Sequence, residues 1–136
     1  MTYDEIQGRL DVLRSNLTGL DGIPHESFEE FGSDARNLPA TIYLLQTSIQ
    51  ALIDLGSYHV ARLALETPQT SQDVFERLER AGHLLPGTAK RCAPIIGFRN
   101  RVVHLYDRVD ARVVYDILVN YRRDLAELAD LLLSIR

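Results

Sequence analysis

The sequence predicts an all-α protein, an antiparallel bundle of four long helices with one or two short ones, and three observations carry that expectation. Apolar residues recur every three to four positions through several separate stretches, the period of a helix that buries one face. Proline, glycine and small capping residues punctuate the chain between those stretches, leaving connections short enough to set neighbouring helices antiparallel. No run of alternating β-branched residues is bounded by hairpin turns, so there is no strand signal.

The elements follow in order. Ile6, Leu10, Leu13 and Leu17 mark an amphipathic first helix, after which Gly19 and Gly22-Ile23-Pro24 are expected to punctuate the chain. Residues 25 to 37, with Phe28, Phe31 and many acids, read as a helical segment. Pro39 then interrupts or begins the next helix, since proline fits best in a first turn. From Ala40 to about Leu65, Ile42, Leu45, Ile49, Leu52, Ile53, Val60 and Leu63 sustain a long helix expected to be central to the core. Pro68 ends it, and Thr70 or Ser71 can cap a shorter helix that carries Val74 and Leu78 inward and stops at Gly82. After the connection Leu84-Leu85-Pro86-Gly87, Thr88 starts a helix in which Pro94 and Gly97 are the expected bend points. Asp110 is a good N-cap for the last helix, whose stripe Val114, Ile117, Leu118, Tyr121, Leu125, Leu128, Leu132 ends at Ile135. Leu131-Leu132-Leu133 widens that stripe, so part of it either belongs to the core or faces another protomer.

With 136 residues and 46% hydrophobic content the chain is expected to be one domain, residues 1–136, around one core. No stretch approaches the 18 or more apolar residues of a membrane span, and Met1-Thr2-Tyr3-Asp4-Glu5 lacks the basic and apolar regions of a signal peptide. A soluble cytoplasmic protein is the expectation. The single cysteine, Cys92, cannot form an internal disulfide, and one Cys with four His shows no paired ligand spacing, so no metal site and no cofactor is expected. Cys92 reads as a small apolar filler. The net charge of -4 argues against a nucleic-acid partner, because phosphate contacts dominate such affinity. Its distribution softens this. Residues 1 to 35 hold eight acids against Arg9 and Arg14, a balance of -6, whereas residues 90 to 123 hold eight bases against Asp107, Asp110 and Asp116, a balance of +5.

Within that basic third, residues 99 to 106 read Arg-Asn-Arg-Val-Val-His-Leu-Tyr. The octet sets a fixed cation, a titratable imidazole and a phenol within three turns of chain, a toolkit for acting on a phosphodiester. The planar guanidinium of Arg99 or Arg101 matches phosphate oxygens and can stabilise charge developing on them. The His104 imidazole can take the proton of a ribose 2'-hydroxyl or protonate a leaving 5'-oxygen, a route that needs no metal. On one continuous helix Arg99 and His104 lie about 140° apart, whereas Asn100 and His104, at i and i+4, share a face. Three geometries would bring the pair together: Arg99 reaches around the helix, the helix ends near His104, or a second copy of the chain completes the site. The last motivates an expected homodimer. Against these uses stand ordinary ones, a His as a cap and an Arg as a solvated surface residue.

The Arg-Asn-x-x-x-His-x-Tyr pattern resembles the Arg-x4-His signature of HEPN domains, and in particular the HepT-like toxin family. The likeness extends over roughly residues 3 to 135, through Ala51-Leu-Ile-Asp-Leu-Gly-Ser-Tyr-His59, Ala81-Gly82, Leu85-Pro86 and Gly97-Phe98. The resemblance implies a HEPN-type helical bundle that dimerises so that Arg and His motifs meet in a cleft. It implies a metal-independent ribonuclease toxin of a type VII-like toxin–antitoxin pair, with an MntA-type minimal nucleotidyltransferase as antitoxin and RNA as substrate. Carried over by residue, Arg99 would contact the phosphate, His104 would act as general base or acid, and Asn100 would orient His104 or the RNA. Tyr106 matches the family tyrosine that the antitoxin modifies with AMP, a group that would block RNA and compete for Arg99. Asp54 and His59 fall on family-like positions of the long helix, either supporting the site or serving as a solvated acid and a core imidazole. Pro94 and Leu38-Pro39 depart from the family pattern. A reading of another class is a non-catalytic dimeric HEPN adaptor that binds a nucleotidyltransferase partner or a nucleotide through the same cleft, which the acidic N-terminal third favours.

Overall fold

Most helices of this computed structural model start where a side chain satisfies backbone N–H groups that the helix itself leaves open. The structure describes the backbone of residues 2–105 and 109–136, and the side chains of these except residues 3 and 102–105. In α1 (Tyr3–Gly22) Thr2 accepts from the Glu5 amide at 3.2 Å while the Glu5 carboxylate accepts from the Thr2 amide at 2.8 Å, a reciprocal capping box. Ser27 caps the five-residue α2 (Phe28–Gly32), Thr70 caps α4 (Ser71–Arg80), and Asp110 caps α6 (Ala111–Leu133). α3 (Asn37–Arg62) has no side-chain cap, and Pro39 sits in its first turn, where its missing N–H costs no hydrogen bond. α5 (Thr88–Leu105) is capped from a neighbouring helix: the Glu79 carboxylate of α4 accepts from the Ala89 amide at 2.8 Å. Backbone N–H groups of Ala89, Gly87 and Thr88 hold that carboxyl below its ordinary range.

Specific pairs fix the directions of the four long helices. Arg9 meets Asp54, Asn16 meets Thr47, and Gly19 faces Leu44, so α1 and α3 run antiparallel. α5 begins beside α4 and returns along α3 to place Arg99 on Gln50, again antiparallel. Arg91 reaches Asp124 and Glu127 while Leu85 lies beside Leu131 and Ser134, which sets α6 antiparallel to α5. α3 touches every other helix, whereas among the described residues α1 and α5 do not touch each other. The core between them includes Leu13, Leu20, Leu45, Ile49, Leu52, Phe75, Phe98, Ile95, Leu118 and Leu125, all fully buried. An all-α bundle with α2 and α4 as its short members is the architecture expected from the periodicity, and no strand occurs among the described residues.

Two local expectations are corrected. Gly19 does not end α1; it lies inside the helix, where a Cβ would sit 3.2 Å from the Leu44 side chain, so its small size serves close approach to α3. Residues 25 to 37 form only the single turn and a half of α2, after which Asn37, already in α3, donates to the Phe31 carbonyl at 3.0 Å. α5, the helix in which Pro94 and Gly97 are the expected bend points, is helical through both of them to Leu105. Cys92 is buried among apolar neighbours, and burial pushes its thiol up to about 11. On α6, Leu132 is fully buried, Leu131 half-buried and Leu133 exposed, so only part of the widened stripe enters the core.

Candidate functional site

α1 and α5 flank a strip of α3 on which Tyr43, Thr47, Gln50 and Asp54 succeed one another at helical spacing, all at least partly exposed. Two cations reach this strip from opposite sides. From α5, buried Phe98 and Ile95 seat the helix against the core and leave Arg99 half-buried at its edge. One Arg99 Nη donates to the Gln50 Oε1, the other to the Asn100 Oδ1 at 3.2 Å, and Nε is buried without a partner. From α1, the Arg9 Nε donates to Asp54 Oδ2 at 2.9 Å. Gln50 and Asp54 are joined along α3, the Gln50 Nε2 donating to Asp54 Oδ1 at 2.9 Å. The cluster Arg9, Asp54, Gln50 and Arg99 therefore carries one net positive charge, open to solvent along the strip.

Of the residues singled out in the sequence, Arg99, Asn100 and Asp54 come together here. Asn100 and Arg101 are exposed on α5. His104 lies on α5, which is helical from Arg99 through Leu105, so positions 99 and 104 are about 140° apart around the helix axis. The His104 side chain lies outside the described residues, as does Tyr106 altogether.

His59 is elsewhere. It follows Gln50 by nine positions on α3, about 13 Å along the axis. It is buried, with its Nδ1 3.1 Å from an Arg62 Nη and its ring beside the Leu132 backbone of α6. Burial, then the Arg62 guanidinium, lower its pKa, so the imidazole is neutral and accepts from Arg62 through Nδ1. It joins α3 to α6, away from the Arg99 cluster.

Gln50 and Arg9 were not singled out in the sequence. Gln50 had one local signal, its i,i+4 spacing to Asp54 on a helix whose other face is apolar. Arg9 had none, because its partner is 45 residues away.

The sequence model of the ribonuclease HepT-like family matches residues 11–132. A tRNA nuclease HepT of Aphanizomenon flos-aquae is 32% identical over 110 residues, 81% of this chain and 75% of that protein. An mRNA nuclease HepT of Shewanella oneidensis is 23% identical over 103 residues, 76% of this chain and 77% of that protein. Among solved structures, a tri-AMPylated Shewanella oneidensis HEPN toxin in complex with an MNT antitoxin superposes with a TM-score of 0.81 at 20% identity, covering 96% of this chain and 97% of that one. YutE of Bacillus subtilis, a cytosolic protein of unknown function, gives 0.83 at 14% identity over 98% and 90%. Among the described residues no helix is long and apolar enough to cross a membrane. Its helices are those of the HEPN fold, its match spans nearly the whole sequence, and the chain belongs to the ribonuclease HepT-like family.

Proposed function

We propose that this protein is an endoribonuclease, the toxin of a toxin–antitoxin pair, and that it cleaves RNA without a metal through Arg99 and His104. The observation that carries the reading is the setting of Arg99: a half-buried guanidinium of the Arg-x4-His motif, held at the edge of an open strip with hydrogen-bonding capacity left for a phosphate. His104 takes the proton from the ribose 2'-hydroxyl, or returns one to the leaving oxygen, as the 2'-oxygen attacks phosphorus. Arg99 stabilises the negative charge that accumulates on the phosphoryl oxygens during that attack. Asn100 bonds Arg99 through its Oδ1 and occupies the face of α5 that also bears position 104, so it couples the two groups.

The same reading makes the protein a homodimer. Residues 99 to 104 form unbroken helix, and Arg99 is tied to Gln50 on α3 rather than turned around α5 toward position 104. A second copy related by a two-fold axis supplies the His104 that works with each Arg99. Tyr106 is the point of control: an MntA-like nucleotidyltransferase antitoxin transfers AMP from ATP to its hydroxyl, with pyrophosphate leaving, and the added phosphate competes with RNA for the Arg99 cation.

Purified wild type and His104→Ala test the chemistry directly. Cleavage of RNA in the presence of a chelator, lost in His104→Ala while circular dichroism and oligomeric state stay unchanged, is the expected result; cleavage that persists in the variant sinks the assignment of His104. Intact-mass spectrometry of the chain produced with and without the nucleotidyltransferase should show AMP additions confined to the peptide that contains Tyr106. The acidic N-terminal third favours the adaptor reading, and nucleotide binding that survives His104→Ala in a wild type that cuts no RNA would establish it instead.

A further inference from the structure

We infer that Arg9, Asp54 and Gln50 form a relay that positions the Arg99 guanidinium, so that a residue of α1 with no contact to Arg99 controls how the phosphate is held. The role rests on the nuclease reading above; the relay itself rests on three hydrogen bonds whose polarities admit one arrangement. An ionised carboxylate only accepts, so Asp54 must face the nitrogen end of the Gln50 amide, as it does at 2.9 Å. A guanidinium only donates, so Arg99 must face the oxygen end, as it does. Gln50 satisfies both because its two amide ends point opposite ways, one along α3 to Asp54 and one across to α5. Arg9 occupies the second Asp54 oxygen at 2.9 Å, which holds the carboxylate aimed at Gln50.

The consequence is directional. Without Arg9, Asp54 loses its second anchor and the Gln50 amide is released to rotate, including into the orientation that presents N–H groups to a guanidinium. Without Gln50, the state of Arg9 no longer reaches Arg99 at all. Gln50, Asp54 and Arg9 are thus positioning residues: they touch neither the phosphate nor the ribose, and they act through the one group that does. A cation at position 9 that simply bound the RNA backbone would behave differently, because its effect would not pass through Gln50.

The test is a double-mutant cycle on the full-length chain. Gln50→Met should lower kcat by about tenfold with little change in KM, the loss of one hydrogen bond to a charged group. Arg9→Met should lower kcat by a smaller factor, Arg9→Lys should largely restore it, and Arg9→Met added to Gln50→Met should change nothing further. An Arg9→Met variant that keeps the wild-type kcat, or that raises KM equally in both backgrounds, overturns the relay in favour of direct RNA contact. A second readout needs no catalysis: nuclear magnetic resonance of guanidinium-labelled protein should show hindered Arg99 rotation in wild type and faster rotation in both single variants. Unchanged Arg99 rotation in the variants overturns the relay whatever the activity. Rotation that responds as expected in a protein that cuts no RNA establishes the relay while removing the nuclease reading.

Discussion

Replacing Gly56 by alanine measures how tightly α4 is seated on α3. A Cβ at this position would meet Val74 Cγ1 at 2.8 Å and Phe75 Cε1 at 3.2 Å, with Leu78 Cδ1 at 3.7 Å. None of these atoms can withdraw cheaply. Val74 is a β-branched residue in a helix with one strongly preferred rotamer, and Phe75 and Leu78 have no exposed surface at all. Alanine gains about 1 kcal/mol over glycine in a helix interior. Overpacking a filled core costs about 1–3 kcal/mol, and a first contact this short places Gly56 in the upper part of that range. The net expectation is a destabilisation of about 1–2 kcal/mol, which for a chain of this length lowers Tm by roughly 3–8 °C. Gly8→Ala on α1 supplies the control, since nothing lies within 4 Å of its added Cβ. The same chemical change there should raise stability by about 0.5–1 kcal/mol. Calorimetry and denaturant titration of the two variants beside wild type decide the matter. A Gly56→Ala protein as stable as wild type, or a Gly8→Ala protein equally destabilised, would refute the close seating of α4.

Other consequences follow from buried polar groups. His59 has a pKa lowered from 6.5 by burial and by Arg62, with His83 adding to the repulsion of a proton. The unfolded chain therefore binds that proton more readily than the folded one, so stability is complete above pH 6.5 and is lost as pH falls through the folded value. Tm measured from pH 7.5 to 5 should decline, and His59→Gln should flatten that decline whatever it does to Tm at pH 7.5; an unchanged slope would assign the acid sensitivity elsewhere. Cys92, buried and with its thiol pushed up to about 11, should resist a thiol-exchange reagent at pH 8 until the protein is unfolded, and rapid labelling of the native chain would contradict its packing. Asn37→Ala leaves the Phe31 carbonyl without its buried donor and should cost about 1–3 kcal/mol in denaturant titration, whereas a cost near zero would mean that water replaces the amide.

What could be read from the sequence was local. Of the two α4 cap candidates Thr70 and Ser71 it is Thr70 that caps, and Asp110 caps α6, because a cap acts within three residues; the α6 stripe buries Val114, Ile117, Leu118, Leu125, Leu128 and Leu132 because its period is that of the helix itself. Gly19 misled because a glycine that ends a helix and a glycine that lets two helices approach look the same until the partner, here Leu44, is known. The site divides along the same line. The octet was visible as a string, and its Arg99 does emerge at the edge of α5 beside Asp54's helix. The register that sets Arg9 on Asp54 and Gln50 under Arg99 depends on how α1 and α5 dock against α3, which no short spacing encodes. His59 had two readings, lining a cleft or serving the core, and its burial between α3 and α6 depends on how those helices dock, which no short spacing encodes.

Complementation between two inactive variants tests whether a dimer shares its sites. If each phosphate is held by Arg99 of one copy and attacked with the help of His104 of the other, Arg99→Ala and His104→Ala damage opposite halves of every site. Each variant alone is inactive. In a mixed dimer, however, one site inherits both lesions and the other inherits neither, because the intact Arg99 and the intact His104 come from different chains. Random exchange between equal amounts of the two inactive proteins makes half of the dimers mixed, each with one of two sites whole, so about a quarter of wild-type cleavage should return. A site built within one chain behaves otherwise: the mixed dimer then carries one lesion in each site, and mixing restores nothing. Unfolding and refolding the two variants together, with exchange verified by native mass spectrometry, separates the cases. Verified mixed dimers that remain inactive would refute the shared site and require Arg99 to leave Gln50 and turn around α5 toward its own His104.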